Sequence, residues 1–217
     1  MATLRAVPPA RMDPELLARA RRTLARRDPV LGAVIRRVGP CELRRRGDPY
    51  RYLVRSIFYQ QLAGAAARSI ERRFHAAFGG RTPPPAVLAS VRPARLRALG
   101  LSRQKVAAVQ AVARAFSDGT VRPRRLTLLE DEEVIAAVTP IRGVGVWTAH
   151  MLLMFSLGRP DVLPVGDYGV RKAAQTLYGL AELPRPAELS ALAEPWRPYR
   201  SVASWYLWRA ADGPTMT

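Results

Sequence analysis

The chain reads as an all-α protein, on three observations. Apolar residues recur at helical spacing along most of the sequence, and no long apolar/polar alternation marks a strand. Aspartate stands directly before proline at Asp13-Pro14, Asp28-Pro29 and Asp48-Pro49, pairing a good N-cap with a residue suited to the first helical position. Glycine and proline separate the helical stretches at short intervals, leaving brief connections and no flexible linker, internal repeat or low-complexity segment.

Taken in order, Asp13 opens a helix with a first-turn acid, Glu15, that runs to about Arg27. Asp28 opens a second, ended near Gly39-Pro40, and Asp48 a third, through Ile57 to about Gln61. A fourth begins at Gly64-Ala65-Ala66-Ala67 and reaches Phe78, where Gly79-Gly80 stops it. Thr82-Pro83-Pro84-Pro85 is a loop, followed by short helices near 86–89 and 93–99 and a longer one over 102–116. After the Asp118-Gly119 turn come a short helix with an acidic start (130–138), an apolar helix (146–157), a helix over 167–178 and a last one over 199–209.

With 217 residues and 48% hydrophobic content the chain can bury a core as one large domain or two small lobes. Lys+Arg number 35 against 17 Asp+Glu, a formal net charge of +18. This excess favours a polyanionic partner, nucleic acid before a membrane surface, although a solvated basic face needs no partner. Lys105 and Lys172 are the only lysines, so the charge is nearly all arginine. Cys41, the single cysteine, excludes an internal disulfide, an all-cysteine zinc site and a cysteine-ligated iron–sulfur cluster. His75 and His150 lack ligand-like spacing. The amino terminus has no signal-peptide pattern, and no apolar run approaches the roughly 20 residues that span a bilayer, so a soluble cytoplasmic protein is expected.

The stretch Thr139-Pro140-Ile141-Arg142-Gly143-Val144-Gly145-Val146-Trp147-Thr148-Ala149 breaks a helix with a tight turn and restarts it at once. Gly143 and Gly145 are expected to permit positive φ and close approach by another backbone. At the restart, N–H groups without intrahelical acceptors and the positive end of the helix dipole suit a phosphate oxygen. Val144 can fill apolar space between the two helices. Such a helix-hairpin-helix presents amides to a nucleic-acid backbone without reading bases; a plain αα-corner with glycines for tight packing is the alternative. Further along, Leu163-Pro164-Val165-Gly166-Asp167-Tyr168-Gly169-Val170-Arg171-Lys172 places an aspartate behind proline and glycine at a helix start. Taken alone, Asp167 needs no role beyond that of an N-cap.

Together the two elements resemble the helix-hairpin-helix and Gly/Pro-Asp signature of the DNA glycosylase superfamily. Other segments resemble its alkylation-repair branch, 3-methyladenine DNA glycosylase II: Asp28-Pro29-Val30-Leu31 through Val38-Gly39-Pro40, Ser56-Ile57-Phe58-Tyr59-Gln60-Gln61-Leu62, and Trp196-Arg197-Pro198-Tyr199-Arg200-Ser201 through Trp205-Tyr206-Leu207-Trp208. The resemblance covers about residues 25 to 209.

It implies an all-α, two-lobed helical bundle with a DNA-binding cleft between lobes at about 45–165, holding the helix-hairpin-helix at 130–157, and 1–44 plus 166–217. It also implies a base excision repair enzyme that flips alkylated purines such as 3-methyladenine and 7-methylguanine out of damaged double-stranded DNA and hydrolyses the N-glycosidic bond. Asp167 would be the catalytic carboxylate, stabilising positive charge on the deoxyribose and orienting or deprotonating the attacking water. Excision of ethenoadenine, hypoxanthine or uracil, and a non-catalytic DNA-binding module, are the alternatives; a carboxylate near the hairpin opposes DNA electrostatically and speaks against the last. Relatives that also cut the strand use a lysine where this chain has Trp147, and tryptophan offers no amine for a Schiff base. Lys105 and Lys172 fall outside that position, so no lyase activity is expected.

Base flipping needs aromatic walls and a wedge. The resemblance points to Trp147, Trp208, Phe58, Tyr59 and Met151 for the base pocket, and to Gly143, Val144, Gly145 and Thr148 for the DNA backbone. Leu101 or Arg103, in the turn Gly100-Leu101-Ser102-Arg103, occupies the wedge position. Gln60, Gln61 and Leu62 sit where relatives probe the opposite strand or minor groove, unless the glutamines merely satisfy buried backbone groups. The carbonyls of Thr139, Ile141 and Val144 match positions that hold a Na or K ion in family hairpins. No other cofactor is required, and the protein is expected to act as a monomer.

Overall fold

The computed structural model describes residues 12–45, 47–62 and 64–211. The stretch 1–11, expected to carry no targeting signal, lies outside the described residues, as do 46, 63 and 212–217, and with them the outer ends of the lobes expected from the sequence. Among the described residues there are thirteen α-helices, one π-helical turn and one 3₁₀ turn, and no strand. None of the described helices is long and apolar enough to cross a membrane.

The helices are α1 (Pro14–Arg27), α2 (Pro29–Val38), α3 (Pro49–Tyr59), α4 (Gly64–Ala77), α5 (Pro85–Ser90), α6 (Pro93–Ala98), α7 (Arg103–Ser117), α8 (Pro123–Leu126), α9 (Asp131–Val138), α10 (Val146–Met151), α11 (Tyr168–Leu177), α12 (Pro186–Leu192) and α13 (Arg200–Ala211). All three Asp-Pro starts are capped through the side chain. Asp13 accepts the Leu16 N–H at 2.7 Å, Asp28 that of Leu31 at 2.9 Å and Asp48 that of Arg51 at 3.0 Å, contacts worth about 1 kcal/mol each. The helix α8, the helix α12 and the 3₁₀ turn Glu194–Trp196 are additional to the expected elements.

Two expected helices end early. The third stops at Tyr59 rather than near Gln61, because Gln61 takes a left-handed φ of +54°. The apolar run 146–157 is not one α-helix: α10 gives way at Leu152 to a π-helical turn, Leu152–Leu157. Its side chains are apolar or buried all round, so nothing in their pattern distinguishes i→i+4 from i→i+5 bonding.

By contact, the described residues form two compact units, 47–152 and 12–45 with 153–211. In the first, α7 packs against α3, α5 and α6 over a core that includes Leu53, Ile57, Phe58, Phe74, Leu88 and Val109. Truncating a residue such as Phe74 to alanine there would cost roughly 3–5 kcal/mol. The Gln110 amide, buried on α7, donates to the Val91 carbonyl at 2.8 Å and secures the connection after α5. In the second unit, α13 packs against α2 and α11, and α1 against α2, around Leu24, Leu31, Trp196 and Tyr206. Because α13 is buried on several sides, its polar residues are satisfied internally. The Ser201 hydroxyl donates to the Arg159 carbonyl at 2.7 Å and accepts the Val162 N–H at 2.9 Å.

Candidate active site

In the second unit, Asp167 caps α11: its Oδ1 accepts the Val170 N–H at 2.8 Å. The same oxygen accepts the indole N–H of Trp208, on α13, at 2.9 Å. Asp167 is only 8% exposed, so these donors fix the orientation of a largely desolvated carboxylate. The Trp208 ring is itself fixed, stacked on Phe155 with centroids 5.9 Å apart. Gly169 makes room for the pair, since a Cβ there would lie 3.1 Å from Trp208 Cδ1 and 3.2 Å from Asp167 Oδ1. Trp208, expected only as a pocket wall, is thus also the partner that positions the carboxylate.

Asp28 is a second buried N-cap aspartate with an indole partner. Asp28 accepts the Leu31 N–H on Oδ1, and on Oδ2 the Tyr178 hydroxyl at 2.5 Å and the Trp196 indole N–H at 2.7 Å. Burial first, and then the Asp28 carboxylate, push the Tyr178 hydroxyl pKa up, so the phenol stays a donor. This is a structural tie between α2, α11 and the 3₁₀ turn.

The hairpin lies in the first unit, and its two glycines differ. Gly143 has φ +86°, and a Cβ on it would collide with the Ala108 Cβ of α7. Gly145 has an ordinary φ of −91°, contrary to the sequence expectation, and a Cβ on it would meet no protein atom within 4 Å. Gly143 is therefore required by the fold, whereas Gly145 leaves the start of α10 open. Val144 is buried, as expected of an apolar plug. Thr148 is buried too, so its side chain faces the protein and only its backbone N–H can serve a phosphate. Trp147, next to it, is 44% exposed.

The turn after α3 gathers the remaining candidates in this unit. The Gln60 amide donates to the Gly143 carbonyl at 2.9 Å and lies 3.4 Å from Thr148 Oγ1, tying α3 to the hairpin. That is the plainer of its two expected roles. Gln61 and Leu62 are exposed, and Gln60, Gln61, Ser102, Gln104, Arg142 and Gly143 help line a cavity of about 340 Å³. Lys105 donates to three carbonyls, Ile57 at 2.6 Å, Phe58 at 3.0 Å and Gln60 at 2.8 Å. Burial pulls its pKa down by desolvation, while the three acceptors favour the ammonium. No local pattern marks this contact, which spans more than 40 residues.

Three expected site residues serve the core instead. Phe58 is buried with its ring 5.0 Å from that of Phe74. Met151 is buried on α10. Leu101 is 3% exposed, and a wedge must be exposed to enter a duplex, so of the two wedge candidates Arg103 alone is accessible. Tyr59 is half-buried; its hydroxyl donates to Glu71 at 2.6 Å and the Arg55 guanidinium lies 4.3 Å over its ring.

A family model for HhH-GPD superfamily base excision DNA repair proteins matches residues 54–198, which contain both the hairpin and Asp167. The chain is 34% identical to DNA-3-methyladenine glycosylase 1 of Schizosaccharomyces pombe over 76% of its own length and 73% of that protein's. Among solved structures it is similar to the S. pombe 3-methyladenine DNA glycosylase in complex with abasic DNA, with a TM-score of 0.81 at 32% identity, covering 88% of this chain and 95% of the other. A DNA-3-methyladenine glycosidase from Bacillus halodurans superposes with a TM-score of 0.80 at 36% identity, covering 89% of each chain. A family model that spans most of the sequence, with 34% identity to a relative covered over 73% of its length, places this chain in the HhH-GPD superfamily of base excision DNA repair proteins.

Proposed function

We propose that this protein is a monofunctional DNA glycosylase that removes alkylated purines, of the 3-methyladenine and 7-methylguanine type, from double-stranded DNA. The observation that supports it best is Asp167, a largely buried carboxylate held by a helix-start N–H and by the Trp208 indole. The names of the relatives point to the same substrate class. In the reaction the C1′–N bond breaks with its electron pair passing to the base. An alkylated purine that already carries a positive charge leaves neutral, so no strong general acid is needed. The Asp167 charge stabilises the oxocarbenium-like sugar. Water then attacks C1′ and passes a proton to the Asp167 carboxylate, leaving a free base and an abasic site. Exposed Trp147 suits stacking on a flipped base, and the open Gly145 suits a phosphate at the start of α10.

What the two lysines do supports a reading without lyase activity. The hairpin position carries Trp147, the Lys105 ammonium is committed to three carbonyls, and the Lys172 amine, on α11, donates to Gln175 at 2.9 Å. The carbonyls of Thr139, Ile141 and Val144 would supply neutral oxygens to a Na or K ion, which would link the hairpin to a phosphate. The protein acts as a monomer in the cytoplasm under this reading.

Asp167→Asn tests the mechanism. It should retain DNA affinity and the fold while single-turnover release of 3-methyladenine falls by at least roughly 100-fold; release at the wild-type rate would remove Asp167 from the chemistry. In parallel, borohydride should trap no covalent complex with lesion DNA, and the abasic strand should stay intact until alkali is added. An adduct mapped to Lys105 or Lys172 would make the enzyme bifunctional.

A further inference from the structure

Helix α3 ends at Tyr59, which leaves the Ile57, Phe58 and Gln60 carbonyls without the N–H groups a continued helix would bring. The chain then passes through the left-handed Gln61, a conformation that disfavours a side chain, to expose Leu62. What occupies those carbonyls is not local. The Lys105 ammonium, from the first turn of α7, gives one N–H to each at 2.6–3.0 Å. A cation at the negative end of α3 also suits its dipole. The same turn is tied on its other side by the Gln60 amide to the Gly143 carbonyl at 2.9 Å.

We infer that Lys105 is a positioning residue, which clamps the end of α3 so that the Gln61–Leu62 turn is presented to the gap that base flipping opens in the duplex. The inference rests on the glycosylase reading and deepens it. A gap between unstacked bases needs an apolar side chain held out from the protein surface, and the turn after left-handed Gln61 leaves Leu62 39% exposed. Leu62 fits that need, and Lys105 holds the backbone from which it projects. The ammonium does no proton transfer and touches no reacting atom. Its three donors are spent on the backbone, so its contribution passes through Leu62.

Two arms test this without depending on excision. Reductive methylation of the native protein should dimethylate Lys172 and leave Lys105 unmodified, as read by mass spectrometry; equal labelling would mean that the clamp does not form. The second arm follows the fluorescence of a 2-aminopurine placed beside a tetrahydrofuran abasic analogue. Lys105→Met, folded by circular dichroism, should reduce the binding-induced fluorescence change at saturating protein by at least about threefold. In a Leu62→Ala background the same substitution should add less than about 1.5-fold. Multiplicative losses in the double variant, or an unaltered signal in Lys105→Met, would overturn the assignment. Excision provides the last comparison. With active wild-type enzyme, Lys105→Met should slow single-turnover release by at least about tenfold, and a wild-type rate would sink the clamp alone. Wild-type protein inert on every alkylated duplex would instead sink the glycosylase reading, and the labelling and fluorescence arms would still decide on Lys105.

Discussion

The Trp208 indole donates to the oxygen of Asp167 that also caps α11, so one carboxylate oxygen serves both the helix and the site. Trp208→Phe keeps an aromatic ring to stack on Phe155 and removes only the donor. A hydrogen bond to a charged group contributes about 1.5–3 kcal/mol, so base release should fall roughly 10- to 100-fold. DNA affinity should stay within about twofold. Single-turnover kinetics beside an equilibrium titration would check this; an unaltered rate would show that the Val170 N–H alone orients the carboxylate. Asp28 likewise receives an indole N–H and a backbone N–H, together with the Tyr178 hydroxyl, in a tie that serves packing.

At the scale of an element, the hairpin divides its two glycines between fold and ligand. Gly143→Ala forces a side chain onto a φ of +86° and into Ala108 of α7. It should destabilise the protein by roughly 2–4 kcal/mol, visible as a lower denaturation midpoint. Gly145→Asp meets open space, so the fold should be unaffected. The added charge should weaken binding to all duplexes alike, because the contact is to the backbone and not to base edges. A stable Gly143→Ala protein would contradict the packing account. Full affinity in folded Gly145→Asp would contradict the phosphate account. The π-helical turn Leu152–Leu157 leads out of α10, and the chain then runs to the Asp167 loop, so the two motifs are joined by irregular rather than regular helix.

Over the whole molecule the charge of +18 sets the long-range behaviour. Each neutralised phosphate steepens the salt dependence of duplex affinity by about 0.9 in log–log slope. Even two such contacts weaken binding about tenfold between about 50 and 200 mM salt. Affinity for undamaged duplex should therefore fall at least that much, by fluorescence anisotropy. A flat response would mean that the arginine-rich surface is merely solvated, the plainer reading of the composition.

The sequence by itself determined the helical class, the capped starts at Asp13, Asp28 and Asp48, the hairpin, and Asp167 as the aspartate that opens α11. These follow from local rules, an N-cap two or three residues from the N–H it accepts and a period carried by neighbours in the chain. Tertiary structure alone decided which indole each aspartate receives, since Trp208 reaches Asp167 across 41 residues and Trp196 reaches Asp28 across 168. It also decided that Phe58, Met151 and Leu101 are core, because an apolar residue has the same letter inside a protein and at a base pocket. Lys105 is the clearest case. Its sequence neighbourhood suggests an ordinary solvated lysine, and only the folding of α7 against α3 brings it to three carbonyls that the end of another helix leaves open.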